Sequence, residues 1–162
     1  MSRRLKDKIA FVMGAGCVGE GWGNGKATAV LFARAGATVV CVDRDLASAQ
    51  RTVAIIQGEG GKAEALRADI TSFLDIDSAV GDGRHGRIDI LQNNVGIAEP
   101  GGPEAIDEVS WDRVMSLPKR VLPHLQARAS RDGAAGERRH RQCFVGRIDH
   151  DDQCADDILL LI

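Results

Sequence analysis

Six of the twelve residues from Gly14 to Gly25 are glycine, and they separate two segments of opposite character. Before them stands a short apolar run, residues 8–13, KIAFVM. After them, residues 26–35, KATAVLFARA, carry Ala27, Val30 and Leu31 at helical spacing, and Gly36 is a candidate C-cap. A strand that is apolar on both faces must be covered on both faces. The helix that leaves it through a glycine turn has to run back across the sheet. The next segment, residues 38–43, TVVCVD, is β-branched and apolar and predicts a second buried strand, parallel to the first.

The rest of the chain continues this rhythm. Asp45 is placed to cap a helix in which Leu46, Ala49, Val53 and Ile56 share a face, and Gly58, Gly60 and Gly61 end it. Residues 62–68, KAEALRA, are an ambiguous third strand, favoured by position more than by propensity. Thr71 or Ser72 caps a weak helix that Gly81 and Gly83 interrupt. Residues 88–92, IDILQ, read as a fourth strand running into Asn93, Asn94 and Gly96, and residues 99–103, EPGGP, as a loop. Asp107 or Ser110 opens a helix through Trp111 to Met115 that Pro118 disrupts. The alternation predicts an α/β fold: a Rossmann-like, doubly wound parallel sheet, incomplete at about four strands, with helices on both faces.

From about residue 128 the pattern is lost. Arg128, Arg131, Arg138, Arg139, Arg141 and Arg147 precede Asp149, Asp151, Asp152, Asp156 and Asp157, with neither helical nor strand periodicity. The expected division is a dinucleotide-binding domain over 1–126 and an irregular, poorly ordered Arg/Asp-rich tail over 127–162.

Composition excludes several classes. The balance of 21 basic against 23 acidic residues argues against a nucleic-acid binder. No apolar run approaches the roughly 20 residues needed to span a bilayer, so no membrane partner is expected. The N-terminus lacks the apolar core and cleavage site of a signal peptide, and four cysteines without a C-x-x-C pair do not suggest a disulfide scaffold. The expected location is the cytoplasm. There is no tyrosine, which excludes any mechanism within these residues that needs a phenol.

The glycine turn carries the chemistry. Glycine lets backbone approach a pyrophosphate closely, and a helix N-terminus presents unpaired N–H groups and the positive end of its dipole. Asp43 follows Gly25 by 18 residues at the end of the second strand, where a carboxylate accepts hydrogen bonds from ribose hydroxyls and repels a 2′-phosphate. The combination points to dinucleotide binding.

These residues resemble the short-chain dehydrogenase/reductase family, over roughly residues 5–126. Gly14, Gly23 and Gly25 stand where that family has its three nucleotide-loop glycines. The loop is longer than the usual form, Met13 replaces the usual Thr, and the run GWGNGKATA is similar to a bacterial subgroup with this longer loop. Asp69 and Ile70 look like the family's residues near the adenine ring. Asn93-Asn94-Val95-Gly96 resembles its NNAG motif, which adds Asn93 and Gly96 to the candidate cofactor contacts. VDRD, GRIDIL, NNVG and WDRVM occur in family order. The resemblance implies an NAD-linked oxidoreductase acting on a small alcohol or ketone. Arg44 could assist a 2′-phosphate, but Asp43 favours NAD over NADP.

The family's proton-transfer set, a Tyr–Lys pair with a Ser and an Asn, has no counterpart here, and no residue is assigned a catalytic role. The last lysine is Lys119, and only SLPKR separates WDRVM from VLPH, where the Asn belongs. A fifth strand and its terminal Ser are not visible. The chain therefore reads as a truncated, catalytically inactive form. The alternatives are an NAD- or adenosine-binding module without catalysis and an unstable fragment without function. The family is homo-oligomeric, but its interface helices are wholly or partly absent. The genetic code offers a cause. Read one nucleotide later, with CGN arginine codons, Glu137–Val145 permits SVVIVNVSS, a β-branched strand ending in serines. Leu159–Leu160 then permits Tyr, and the stop codon permits Lys four positions on. A frameshift explains the tail on this reading.

Other clusters carry less. His140, Cys143, His150 and Cys154 could in principle bind zinc, but the spacer is shorter than in common zinc fingers, and no metal site is expected. Cys17 reads as a small filler of the glycine loop and Cys41 as core. His85 and His124 lack sequence partners and are expected at the surface.

Overall fold

The computed structural model describes residues 3–19, 21–69, 88–96, 106–112 and 142–145, with single positions at 72, 74, 75, 78, 79, 85 and 114. Five strands form one sheet: β1 (Ile9–Met13), β2 (Thr38–Asp43), β3 (Lys62–Arg67), β4 (Ile90–Asn93) and β5 (Gln142–Val145). The strand order is β3-β2-β1-β4-β5 and every pairing is parallel. Ile9 lies beside Thr38, Thr38 beside Lys62, Ala10 beside Ile90, and Ile90 beside Gln142.

Two helices connect the first three strands, α1 (Asn24–Arg34) and α2 (Leu46–Gly58). Both cover the same face. Ala10 and Val12 of β1 and Val39 and Cys41 of β2 pack there against Ala29 and Val30 of α1 and Ala49, Val53 and Ile56 of α2. The alternate residues, Phe11, Met13, Val40 and Val42, turn to the other face, where Leu91 and Ala79 join them. The central strands are thus apolar on both sides, which is why they read as continuous runs. Leu46 is the exception to the expected α2 face: it lies at the first turn and stays partly exposed.

The predicted boundaries hold at the helix ends. Asp45 caps α2, its carboxylate accepting the Ala47 N–H at 3.0 Å. Gly60, at φ +79°, receives the chain after α2, and its N–H donates to the Gln57 carbonyl. Gly36, at φ +99°, does the same after α1. Ser72 accepts the Asp75 N–H at 3.3 Å, and Asp107 caps the last described helical segment by accepting the Ser110 N–H at 2.7 Å. That bond holds the Asp107 carboxyl below its ordinary range.

Two differences from the sequence reading stand out. β5 lies in the segment expected to be irregular. Its apolar stretch, Cys143-Phe144-Val145, is too short among arginines to register as a strand. The free edge of β4 offers it a row of N–H and C=O partners. His85 is not a lone surface residue: its Nε2 lies 2.9 Å from Glu64 Oε1 on β3, both partly buried. His124, His140, His150, Cys154, Ile70, Thr71, the 99–103 loop and Met115 onward to β5 lie outside the described residues. Among the described residues no helix is long and apolar enough to cross a membrane.

Candidate functional site

The C-terminal ends of β1, β2 and β4 converge where the topology reverses, since the chain passes from β3 at one side of β1 to β4 at the other. A crevice at such a switch point is where open α/β sheets bind ligands. Backbone bonds tie the strand ends together: Gly14 and Ala15 N–H both donate to the Val42 carbonyl, at 2.8 and 3.1 Å, and Asn94 N–H to the Met13 carbonyl at 3.0 Å.

The glycines have different physical reasons. Gly14 sits at φ +73°, and a Cβ there would come 2.8 Å from the Asn94 carbonyl oxygen. Gly25 faces the Gly14 carbonyl so closely that a Cβ would collide with it. This pair lets α1 pack directly on the turn. Gly23 is the N-cap of α1 at φ −100°, and a Cβ there would have 3.5 Å to its nearest neighbour, the Cys17 sulfur. Packing does not demand glycine at that position. α1 has no side-chain cap and no acidic residue in its first turn. Among the described residues no side chain caps its N-terminus, which turns its first N–H donors and the positive dipole end toward an anion.

Asp43 ends β2 half-buried, with its carboxylate turned to the loop. Oδ2 accepts the Gly16 N–H at 2.9 Å and Oδ1 the Asp45 N–H at 3.0 Å. Asn93 ends β4 and is buried, and its Oδ1 has no hydrogen-bond partner among the described residues. An orphaned buried acceptor is costly unless something meets it. Gly96 is exposed three residues beyond, and Asp69 is exposed past β3, its N–H bonded to the Asp75 carboxylate at 3.1 Å. The structure thus brings Gly14, Gly23, Gly25, Asp43 and Asn93 to one edge of the sheet.

Three contributors escape the sequence reading. Ser48, on α2, accepts the Cys17 N–H at 2.9 Å and donates to the Cys17 carbonyl at 3.0 Å. Thr52, one turn on and fully buried, donates to the Ala15 carbonyl at 2.8 Å. Lys26, buried at the start of α1, donates to the Gly21 carbonyl at 3.1 Å, and its ammonium lies 5.2 Å from the centre of the Trp22 ring. It ties down the extra length of the loop. The available signal was two small hydroxyl residues at i and i+4 on an otherwise apolar helix face. Of the cysteines, Cys41 is core, its thiol pushed up to about 12 by burial, and Cys17 is partly exposed.

An open, doubly wound parallel sheet with a glycine turn at its switch point defines the structural class. The chain belongs to the short-chain dehydrogenase family, whose model matches residues 8–120. It is 34% identical over 119 residues to 2-(S)-hydroxypropyl-CoM dehydrogenase 3 of Xanthobacter autotrophicus, covering 72% of this chain and 45% of that protein. It is 43% identical over 107 residues to 7alpha-hydroxysteroid dehydrogenase of Escherichia coli, covering 64% and 38%. The chain therefore spans less than half the length of these relatives. Among solved structures, a short-chain dehydrogenase/reductase from Burkholderia xenovorans superposes with TM-score 0.70 at 42% identity, over 76% of this chain and 51% of that one. The 3-ketoacyl-(acyl-carrier-protein) reductase of Brucella melitensis, complexed with NADH, gives TM-score 0.67 at 34% identity, over 87% and 56%.

Proposed function

We propose that this chain carries the NAD-binding half of a short-chain oxidoreductase, and that the 162 residues alone bind the dinucleotide without hydride transfer. The observation that carries the reading is the Asp43 carboxylate, fixed at the end of β2 against the glycine turn and next to the uncapped N-terminus of α1. The residues present fit the group. The Gly14–Gly25 contact opens the turn to backbone approach, the open side of Gly23 admits a pyrophosphate, and the N–H groups of α1 receive its charge. Asp43 holds the adenosine ribose hydroxyls and repels a 2′-phosphate. By the family resemblance Asp69 and Ile70 are assigned to the adenine, and Asn93 and Gly96 to the β4 side. When bound, the nicotinamide supplies the hydride acceptor or donor. The relative solved with NADH supports this choice of cofactor.

Such hydride transfer with a small alcohol or ketone also needs a group to move the hydroxyl proton, typically worth about 10²–10⁴-fold. No tyrosine exists in the chain, and no described residue at this edge stands in for one. A dinucleotide-binding unit over 1–126 and a 127–162 segment read out of frame, whose β5 extends the same sheet, remain part of this proposal. The test is calorimetric titration of the purified chain with NAD and NADP, beside an NADH absorbance assay over a panel of alcohols and ketones. Binding of NAD over NADP with no turnover is the expected result. Turnover that survives removal of contaminating host dehydrogenase would refute the inactive reading, and no binding of either dinucleotide would refute the site.

A further inference from the structure

The carboxylate that selects the ribose is itself held by a clip from α2. Ser48 is buried, and its hydroxyl closes two bonds on one residue of the loop, accepting from Cys17 N–H and donating to Cys17 C=O. With Cys17 pinned at both polar groups, the preceding Gly16 presents its N–H to Asp43 Oδ2 at 2.9 Å. A Cβ at Gly16 would lie 2.6 Å from that oxygen and would also strike the Ser48 side chain, so only glycine admits the arrangement. Thr52 anchors the other end of the same stretch through the Ala15 carbonyl. The Asp45 N–H holds the second carboxylate oxygen.

We propose that Ser48 is a positioning residue for dinucleotide selectivity, acting through the Cys17 backbone and Gly16 to fix the Asp43 carboxylate. This role rests on the NAD reading above. A carboxylate oriented before the ligand arrives binds a ribose diol without the cost of ordering it. It also cannot swing away from a 2′-phosphate, so the like-charge penalty against NADP is kept whole. Losing the clip frees the loop stretch, and the carboxylate then relaxes away from an incoming phosphate.

The experiment compares the full chain with Ser48→Ala, Ser48→Thr and Asp43→Ala by calorimetry against NAD and NADP. A net hydrogen bond corresponds to about a fivefold change in affinity. Ser48→Ala should therefore weaken NAD binding by about that factor while NADP binding stays unchanged or tightens, narrowing the selectivity ratio. Ser48→Thr, which keeps the hydroxyl, should restore the ratio. Equal weakening of both dinucleotides, or no rescue by threonine, overturns the proposal, because a merely structural residue would act that way. Native-state hydrogen exchange on the unmutated chain is a second check if Ser48→Ala does not fold. The Gly16 and Cys17 amides should be protected well beyond Val18 and Gly19, and equal exchange overturns the clip. Asp43→Ala separates the two failures. If it leaves the NAD preference intact, or if the unmutated chain binds no NAD, the dinucleotide reading has failed and the Ser48 role falls with it. If Asp43→Ala relaxes selectivity and Ser48→Ala does not, only the Ser48 role has failed.

Discussion

Replacing Thr52 by valine swaps one hydroxyl for a methyl group of nearly the same size, at a position with no solvent exposure. In the native structure the hydroxyl donates to the Ala15 carbonyl at 2.8 Å, with a weaker contact of 3.5 Å to the Ser48 carbonyl in its own helix. The 2.8 Å bond joins α2 to the glycine turn, across 37 residues of sequence. Its loss removes a net contribution of about 1 kcal/mol, and leaving the Ala15 carbonyl unmet in a dry site adds about 1–3 kcal/mol. The added methyl recovers about 0.8 kcal/mol of transfer free energy. The expected net destabilisation is about 1–3 kcal/mol. At roughly 4 °C per kcal/mol for a domain of this size, Tm should fall by about 4–12 °C. The assay is a circular-dichroism melt, with urea unfolding to confirm a lower midpoint at an unchanged slope. A Tm within about 1 °C of the unmutated chain would refute the reasoning, because it would mean that the turn and α2 are not joined through this hydroxyl.

The remaining predictions concern the same edge of the sheet and its core. Gly25→Ala should destabilise the chain by about 1–3 kcal/mol, since its Cβ meets the Gly14 carbonyl, whereas Gly23→Ala should leave Tm nearly unchanged and weaken dinucleotide binding; thermal melts and calorimetry of both variants check the contrast. Asp43→Ala should weaken NAD binding by about 1.5–3 kcal/mol, the range for hydrogen bonds to a charged group, as read by calorimetry. Cys41 should resist a thiol reagent at pH 8 while Cys17 reacts, as read by mass spectrometry of the labelled peptides. Because burial raises the Cys41 thiol from 9.0 to about 12, the native state keeps a proton that the unfolded chain releases in that window. Its contribution to stability is complete below pH 9 and is lost as pH rises toward 12, so Cys41→Ala should flatten the alkaline limb of a stability–pH curve. The nucleotide sequence across codons 115–162 should stay open in the shifted frame and encode Ser at Phe144 and Val145; codons that give Leu there would sink the frameshift reading.

The local code was sufficient for the elements nearest the site. Apolar runs at KIAFVM and TVVCVD, the glycines that follow Met13 and the cap at Asp45 each act within a few residues, so β1, β2, α1, α2 and the turn between them are legible without a structure. Asp43 is legible for the same reason, because a strand end is a position in the chain before it is a place in space. Pairings that depend on what lies across the sheet are different. Gln142–Val145 becomes a strand because β4 offers an edge, and His85 acquires a partner because β3 places Glu64 beside it. Ser48 and Thr52 look like ordinary helix residues until α2 folds back over the glycine turn, more than 30 residues away in sequence, and their hydroxyls find the carbonyls and N–H of Ala15 and Cys17. A hydrogen bond needs its two atoms within about 3 Å. Residue type and spacing set which groups could bond, and only the packing of α2 against the turn brought these ones within reach.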